Sequence, residues 1–316
     1  MSPAITVAVI NGMLRPLLEA RLPDWIEPRW FTTTEELMGL APEAEIGWFD
    51  SFQDGVAEAG AMAAVKLRWL NTIAAGVEHL SLGVLASRGV TLTNGAGINA
   101  ITIAEYAVMG MLSIAKNYRE VIRAADRHEW LGDAPGKMEL YGSKALLLGV
   151  GGIGSLIAER LAPFGVEVTK VRRNPGPGEL GLGDWRARLG AFDWVIVTVP
   201  ATPDTEHLIG ATELAAMKPT ATLMNFARGS LVDQQALIEA LKARGIGHAF
   251  LDVTEPEPLA PDHPLWTVPN AHITMHLSGR SQNMMFIRSV ERFLDNLERW
   301  HRGEPLLHRV NLELGY

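Results

Sequence analysis

Cysteine is absent from this 316-residue chain, and its absence removes several kinds of chemistry. Disulfides, thiolate zinc sites and cysteine nucleophiles are all excluded. Basic charge is also scarce, because 28 lysines and arginines stand against 36 aspartates and glutamates, a net charge of −8. This balance gives no support to binding of nucleic acid or of an anionic membrane surface. The missing cysteines fit a reducing compartment, and we expect a cytoplasmic protein.

Long apolar runs are missing as well. The first run, residues 5–10, follows no basic segment and is too short for a signal peptide or a membrane span. Repeats and low-complexity tracts are not evident. The whole chain is 47% hydrophobic and 20% charged, which is ordinary for a soluble globular enzyme. It is long enough for two domains.

Residues 144–174 predict a strand, a glycine turn, a helix and a second strand. An apolar run at 145–148 is followed by Gly149, Gly151 and Gly154 at G-x-G-x-x-G spacing. In this setting the glycines permit a tight turn, close approach of a pyrophosphate to the backbone, and close packing of helix on strand. The phosphates then meet the positive end of the helix. A glycine turn without a ligand is the alternative, but the complete βαβ pattern favours a dinucleotide site.

The rest of the chain alternates predicted strands and helices. Before the glycine unit we predict strands at 5–10, 45–49, 67–70 and 90–92, and helices at 35–40, 80–88 and 100–123. After it we predict strands at 194–199, 221–226, 249–253 and 271–274, and helices at 233–243 and 282–300. The expected fold class is α/β, with two doubly wound parallel-sheet domains. A Rossmann nucleotide domain, residues 99–279, is inserted into a flavodoxin-like substrate domain, residues 1–98 and 280–316.

Two loops of the first domain are candidates for binding. Residues 71–79 contain a turn of small residues whose backbone N–H groups can reach an anion such as a carboxylate, although an ordinary turn fits equally well. Residues 48–52 place aromatic side chains just after a strand, where they either line a pocket or belong to the core.

Three further segments carry a family resemblance. They read NFARGSLVD at 225–233, LDVTEPEPL at 251–259 and HITMH at 272–276. Together with GVGGIG they resemble the D-isomer-specific 2-hydroxyacid dehydrogenases, in the family's order and over nearly the whole chain. The resemblance implies that Arg228, Glu257 and His276 are catalytic, and we expect no metal at the site. His272 and His276 mimic a helical metal pair, but in a strand they would stand about 13 Å apart.

The implied chemistry suits these residue types. Reduction of a 2-keto acid needs a hydride at the carbonyl carbon and a proton for the oxygen. A histidine titrates near neutrality, so His276 can give that proton, and Glu257 would hold the ring and favour its charged form. Arg228 offers a planar fork of donors to the carboxylate and keto oxygen. His272 is the rival for the acid role.

The resemblance also implies binding residues. Backbone amides of Ala75, Gly76 and Val77 would hold the substrate carboxylate, and Asp252 would face the nicotinamide carboxamide. With Asp252, the expected cofactor-binding residues are Gly149, Gly151, Gly152, Ile153, Gly154, Arg172, Arg173, Val199, Pro200, Thr205 and Ala227. The chain departs from the family at Met275, where proline is common, and at Arg280, where a small residue is usual.

The choice of cofactor is indicated by the second strand of the glycine unit. It ends in Arg172 and Arg173, and no aspartate or glutamate occurs from residue 168 to residue 178. A protein that prefers NAD normally has an acidic residue there to bind the adenosine ribose, whereas arginines pair with the 2′-phosphate of NADP. The sequence predicts a preference for NADP(H), with NAD(H) as the alternative; solvated loop charges are the other interpretation of the arginines.

The leading functional prediction is an NAD(P)-dependent reductase of a small 2-keto acid, such as glyoxylate or hydroxypyruvate, to the D-2-hydroxy acid. The alternative is a non-catalytic, nucleotide-sensing protein, because relatives that resemble this family act as corepressors. Retention of all three catalytic residue types favours the enzyme. Formate dehydrogenases that resemble this family have glutamine at the position of Glu257, so a formate dehydrogenase is less expected. A phosphoglycerate dehydrogenase with a regulatory tail is also less expected, because the sequence ends at Tyr316. A homodimer is expected.

Overall fold

The structure, a computed structural model, describes residues 5–51 and 53–315. These residues form two compact units. One unit runs to Asn99 and resumes at Ser281, and the other comprises Ala100–Arg280. The second unit is therefore inserted into the chain of the first. Each unit contains its own parallel sheet, in agreement with the predicted fold class.

The first unit has a five-stranded parallel sheet in the order β2-β1-β3-β4-β5, which is the flavodoxin-like order. Its strands are β1 (Thr6–Asn11), β2 (Ile26–Phe31), β3 (Ile46–Trp48), β4 (Trp69–Asn71) and β5 (Thr91–Thr93). Its helices are α1 (Arg15–Leu18), α2 (Thr34–Leu40), α3 (Val56–Ala63), α4 (Leu82–Ser87) and, at the end of the chain, α10 (Met284–Arg302).

The sequence patterns did not predict β2, and the reason is visible in the strand itself. It reads IEPRWF, and proline removes a backbone donor, so a strand containing it is usually discounted. β2 lies at the edge of the sheet and pairs only with β1, with Pro28 opposite Ala8. An edge strand tolerates proline because one side of its backbone needs no partner strand.

Helix α10 packs into the core of the first unit. Val290, Phe293 and Leu297 share a buried cluster with side chains of β1, β3 and β4. The ring of Phe293 lies 4.7 Å from Trp48 and 5.0 Å from Trp69, between centroids. Because Trp48 and Phe49 are buried, they belong to the core, not to a pocket wall. Phe52, the remaining aromatic residue of that loop, lies outside the described residues.

The second unit has a six-stranded parallel sheet in the order β11-β10-β9-β8-β6-β7. Its strands are β6 (Lys144–Leu148), β7 (Glu167–Val171), β8 (Trp194–Val197), β9 (Thr222–Asn225), β10 (His248–Leu251) and β11 (Ala271–Ile273). Its helices are α5 (Ala100–Ala115), α6 (Tyr118–Asp126), α7 (Gly152–Leu161), α8 (Ala211–Ala216) and α9 (Gln234–Lys242). Apolar side chains from alternate strand positions enter two buried clusters, so both faces of the sheet are covered.

The single helix predicted at 100–123 is wrong, because the chain breaks between α5 and α6. Asn117 has φ +45°, a left-handed conformation that ends the first helix. The backbone of Gly136 packs so closely on Lys116 and Asn117 that an added Cβ would lie 2.3 Å from a backbone atom of Lys116. A distant segment therefore fixes the break, and helical periodicity alone does not reveal it. In neither unit does the described chain form a helix suited in length and apolarity to crossing a membrane.

Candidate active site

The candidate residues of the second unit follow the carboxyl ends of its strands. Gly149 follows β6, Arg172 follows β7, Arg228 follows β9, Asp252 follows β10 and His276 follows β11. The order of the sheet reverses between β6 and β8. In open parallel sheets ligands bind beyond the carboxyl ends at such a reversal, so this is the edge where a site is expected.

The three glycines of the turn after β6 meet different surroundings. Gly149 has φ +94°, and an added Cβ would lie 2.9 Å from the backbone of Val199. At Gly154 an added Cβ would lie 2.2 Å from the carbonyl oxygen of Gly149, so the helix approaches the turn more closely than any side chain permits. At Gly151, by contrast, an added Cβ would meet no described atom within 4 Å. The turn is therefore tight at its first and third glycines and open at its second.

The open position coincides with the start of α7. Gly151 is the residue before the helix, and no side chain caps it within the described residues; Gly152 and Ile153 form the first turn. The first amides of a helix lack intrahelical acceptors and carry partial positive charge. An uncapped helix start beside open space fits the pyrophosphate of a dinucleotide.

At the end of β7, Arg172 forms an ion pair that the sequence did not predict. Its Nε lies 3.1 Å from Oε1 of Glu179, and the other carboxylate oxygen of Glu179 accepts a hydrogen bond from the amide of Gly176. The amide of Arg172 donates to the carbonyl of Leu180, so residues 172–180 form a closed loop. Arg173 is exposed on the same loop. An acidic side chain is therefore present near the strand end, although it comes later in the sequence.

The other expected cofactor residues lie in the loops after β8 and β9. Val199 borders Gly149, and Pro200 is exposed; its carbonyl accepts a hydrogen bond from Oγ1 of Thr205 at 2.9 Å. Ala227 is 8% exposed, and its amide is bound by the side chain of Asn225. All of these residues are at the same edge of the sheet as the glycine turn.

Glu257 and His276 form a close pair. Nδ1 of His276 lies 2.7 Å from Oε2 of Glu257, and the other carboxylate oxygen accepts a hydrogen bond from the amide of Thr254 at 3.0 Å. An ionised carboxylate only accepts, so Nδ1 carries the hydrogen and Nε2 is left to exchange a proton with a ligand. The side chain of His276 is half exposed.

Arg228 is held beside the segment that carries Glu257. Its carbonyl accepts a hydrogen bond from Nδ2 of Asn225, and its Nη1 donates to the carbonyl of Ala227. The next residue, Gly229, touches the backbone of Thr254 so closely that an added Cβ would lie 2.1 Å from the carbonyl oxygen. The glycine of the Arg-Gly pair is thus required because two loops meet there.

Asp252 is buried, with 3% of its surface exposed, and its carboxylate binds the chain around His276. Oδ1 accepts hydrogen bonds from Oγ1 of Thr274 at 2.7 Å and from the amide of Ser278 at 3.1 Å. Oδ2 accepts a short hydrogen bond from Oγ of Ser278. The family resemblance implied only that Asp252 faces the nicotinamide carboxamide. It did not predict these hydrogen bonds to the loop that carries His276.

The backbone conformation at Met275 is incompatible with proline. Met275 has φ +53° and His276 has φ +55°. Proline is fixed near −65°, so the proline common in the family cannot adopt this conformation. Arg280, the other departure, is exposed, and its amide donates to the carbonyl of Leu277.

His272 differs from His276 in its surroundings, because its ring is largely buried and has no carboxylate partner among the described residues. Burial lowers the pKa of His272 to about 4, with the nearby charges of His248, Arg119 and Arg123 acting in the same direction. Its Nε2 is buried without a hydrogen-bond partner among the described residues. A histidine with this pKa is neutral near pH 7, so it lacks the extra proton that an imidazolium donates.

In the first unit, the small-residue turn after β4 presents backbone amides. Across residues 5–51 and 53–315, no acceptor is bound to the amides of Ala75, Gly76 or Val77. The start of this loop is fixed by Asp50, which accepts hydrogen bonds from Oγ1 of Thr72 at 2.7 Å and from the amide of Ile73 at 3.0 Å. Desolvation nevertheless raises the pKa of Asp50. Nothing in the sequence distinguished Asp50 from an ordinary loop aspartate.

Comparison with known proteins identifies the family of this chain. Residues 108–278, more than half of the chain, match the family described as D-isomer specific 2-hydroxyacid dehydrogenase, NAD binding domain. A glyoxylate reductase from Korarchaeum cryptofilum is 34% identical over 261 residues, which cover 80% of this chain and 78% of that protein. A mouse glyoxylate reductase/hydroxypyruvate reductase is 34% identical over 262 residues, 79% of each chain.

Among solved structures, an NADPH-dependent glyoxylate/hydroxypyruvate reductase from Sinorhizobium meliloti superposes with a TM-score of 0.81 at 25% identity, covering 97% of this chain and 98% of the other. The similarity therefore extends over both units. The chain belongs to the D-isomer-specific 2-hydroxyacid dehydrogenase family and is an NAD(P)-dependent oxidoreductase that acts on 2-keto and 2-hydroxy acids.

Proposed function

We propose that this enzyme reduces a glyoxylate- or hydroxypyruvate-like 2-keto acid to the D-2-hydroxy acid, with His276 as the general acid. The observation that carries the proposal is the 2.7 Å contact between Nδ1 of His276 and Oε2 of Glu257. It orients the ring so that Nε2 can donate a proton to a bound ligand. The bound nicotinamide supplies the hydride.

Arg228 has the role of holding the substrate carboxylate and polarising the keto oxygen. A guanidinium offers parallel donors that match a carboxylate, which a lysine does not. The contacts of Asn225 and Thr254 with the Arg228–Gly229 segment support this role, because they fix the backbone from which the side chain extends. We also propose that the unengaged amides of Ala75, Gly76 and Val77 bind the substrate carboxylate.

NADP(H) is the preferred cofactor in this proposal, held at the glycine turn and at Arg172 and Arg173. The strand end lacks the usual acid, and the Sinorhizobium relative is an NADPH-dependent enzyme. Glu179 opposes this preference in part, because its carboxylate neutralises some of the charge of Arg172. We therefore expect a moderate preference of about ten- to a hundredfold in kcat/KM, equivalent to about 1.4–2.7 kcal/mol.

A homodimer is also part of the proposal. Helix α5 has one charged residue, Glu105, in sixteen, which is unusual for a helix facing solvent. Large apolar side chains are exposed along α5, α6 and the segment that follows, namely Met109, Tyr118, Ile122, Trp130 and Tyr141. Trp130 is 98% exposed. Exposed apolar side chains in this density indicate a protein interface, and light scattering of the purified protein tests whether two copies associate.

The deciding experiment is a steady-state assay of the purified protein with glyoxylate, hydroxypyruvate, pyruvate and larger 2-keto acids, each with NADPH and NADH. We expect turnover with a small keto acid and a lower KM for NADPH than for NADH. Cofactor binding without turnover on any keto acid would instead support the nucleotide-sensing alternative, which the reductases among the relatives disfavour. Equal use of the two cofactors would refute the NADPH preference alone.

A further inference from the structure

The segment that carries His276 is a tight turn with an unfavourable backbone. The amide of Leu277 donates to the carbonyl of Thr274 at 3.0 Å, and the two residues between them, Met275 and His276, both have positive φ. Two central residues with positive φ define a type I′ turn, which favours asparagine and glycine. Methionine and histidine are poor residues for these positions, so the turn needs support from outside itself.

That support comes from Asp252, at the end of the neighbouring strand β10. Its carboxylate binds Thr274 on one side of the turn and Ser278 on the other, and its carbonyl accepts a hydrogen bond from the amide of His276 at 2.6 Å. Hydrogen bonds from both ends and from the middle of the turn therefore converge on one residue.

Burial makes this group of contacts stronger than the same contacts on a surface. Asp252 is 3% exposed and Ser278 is 1% exposed. A buried carboxylate must be hydrogen-bonded, because leaving it unpaired costs much of its hydration energy, and charge-assisted hydrogen bonds are the stronger kind. If the turn relaxed to negative φ, the buried carboxylate of Asp252 would lose hydrogen-bond donors.

We propose that Ser278 and Thr274 are positioning residues for proton transfer: by clamping the turn to Asp252 they hold His276 in its left-handed conformation and in register with Glu257. This inference rests on the proposed role of His276 and goes beyond it by assigning a function to two side chains whose hydrogen bonds, within the described residues, run to Asp252. It also explains how the chain keeps its histidine in place with Met275 at the position where proline is common in the family.

The first test is Ser278→Ala, which removes the hydroxyl donor and leaves the backbone contact. We expect kcat to fall about tenfold, the scale of one charge-assisted hydrogen bond, with the KM for the keto acid and the Kd for the cofactor changed by less than about twofold. Thr274→Val, which keeps the shape of the side chain, is the second variant and should act in the same direction. Ser143→Ala is the matched control, because Ser143 is also a buried, hydrogen-bonded serine of this unit; it should leave kcat unchanged.

The second test is rescue. Asparagine is the residue that a type I′ turn prefers at its first central position, so Met275→Asn favours the observed backbone without adding a contact to Asp252. In the Ser278→Ala background, Met275→Asn should restore most of the lost kcat. A role of Ser278 in core packing alone predicts no such rescue, and a tenfold loss that Met275→Asn does not repair would overturn the proposal, as would a normal kcat for both hydroxyl variants.

A third measurement does not depend on catalysis. Hydrogen exchange at the amide of His276 reports its bond to the carbonyl of Asp252; we expect exchange about tenfold faster in Ser278→Ala and slower again when Met275→Asn is added. Unchanged exchange would refute the clamp even in an active enzyme. If His276→Ala keeps full turnover while the exchange results hold, then the proposed acid is wrong and the clamp stands.

Discussion

Two regions of the second unit differ in the exposure and hydrogen bonding of their histidine side chains. At the carboxyl ends of the strands, His276 is half exposed and paired with Glu257. On the flank of the sheet, at β10 and β11, the rings of His248 and His272 lie 5.7 Å apart, and each has a buried ring nitrogen to which no other described residue is bonded. His272 and His276 are only four residues apart, so their chemistry is decided by position in the fold.

Burial is the main cause of the low pKa of His272, and nearby positive charges add to it. Arg119 donates to the carbonyl of Ala271 and, with Arg123, repels a proton on His272. Tyr118, Arg119, Trp266 and His272 border a cavity of about 400 Å³. No acidic side chain is part of its lining in the described chain. At the strand ends, by contrast, the carboxylate of Glu257 lies 2.7 Å from Nδ1 of His276.

The largest expected effect comes from removing one histidine or the other. His276→Ala should lower kcat by about 10²–10⁴-fold while cofactor binding is retained, because a general acid contributes on that scale. His272→Leu should leave kcat within about twofold. Stopped-flow or steady-state rates with a keto acid and NADPH measure both. Near-normal reduction by His276→Ala, with a loss in His272→Leu, would reverse the assignment.

The next largest effect is expected at Arg228. Arg228→Ala should raise the KM for the keto acid and lower kcat, on the order of a hundredfold in kcat/KM, because the guanidinium both binds and orients the carboxylate. Arg228→Lys keeps the charge but loses the fork, so it should recover only part of the loss. Unchanged kinetics in both variants would show that Arg228 neither binds nor orients the substrate, although it lies at the same strand ends as His276.

A third prediction concerns the strand end of β7. Arg172→Asp should shift the ratio of kcat/KM for NADPH and NADH by about ten- to a hundredfold toward NADH, since a carboxylate repels the 2′-phosphate and can bind a ribose hydroxyl. Arg188→Asp is the control, because Arg188 is an exposed arginine of the same unit and undergoes the same change of charge. An equal shift in both variants would mean that the net charge of the second unit, and not the residue at this strand end, selects the cofactor.

The fold was more predictable from the sequence than the contacts of the site. Ten of the strands follow apolar runs because a parallel sheet buries both faces, and the glycine spacing located the turn before α7. β2 was missed because Pro28 is tolerated only at an edge, and no local pattern reveals which strand is the edge. The break at Asn117 was missed because a segment twenty residues later imposes it.

In the candidate site, too, the contacts imposed by distant segments were not predictable from the sequence. Glu257 and His276 were expected to pair, and the resemblance supplied that expectation. The clamp of Asp252 on Thr274 and Ser278 joins residues more than twenty positions apart, and Glu179 returns to Arg172 only because the loop between them closes. Contacts made by tertiary folding leave no periodicity in the sequence, so neither was predicted.

A fourth prediction tests the buried flank through acid stability. The folded state holds the pKa of His272 at about 4, below the 6.5 of an unfolded histidine, so the unfolded chain takes up the proton first as pH falls. The contribution of neutral His272 to the free energy of unfolding is fully present above pH 6.5 and is lost between pH 6.5 and 4. About 1–2 kcal/mol of it is lost by pH 5. Urea unfolding of His272→Leu should show a smaller loss between pH 7 and pH 5 than the wild type. An equal loss in both proteins would show that other groups control acid unfolding.

The smallest expected effect is at Glu179, whose carboxylate faces an arginine, whereas the carboxylate of Glu257 faces a histidine. The Arg172 side chain is 41% exposed, so solvent and salt screen the pair and its energy stays below about 1 kcal/mol. Glu179→Gln keeps an acceptor for the amide of Gly176 but removes a negative charge near the proposed 2′-phosphate site. We expect the KM for NADPH to fall two- to fivefold at low salt, the KM for NADH to stay the same, and the difference to shrink at high salt. A rise in the KM for NADPH would instead mean that Arg172 needs Glu179 to hold its guanidinium in place, so that alignment of the arginine outweighs the repulsion between the two anions.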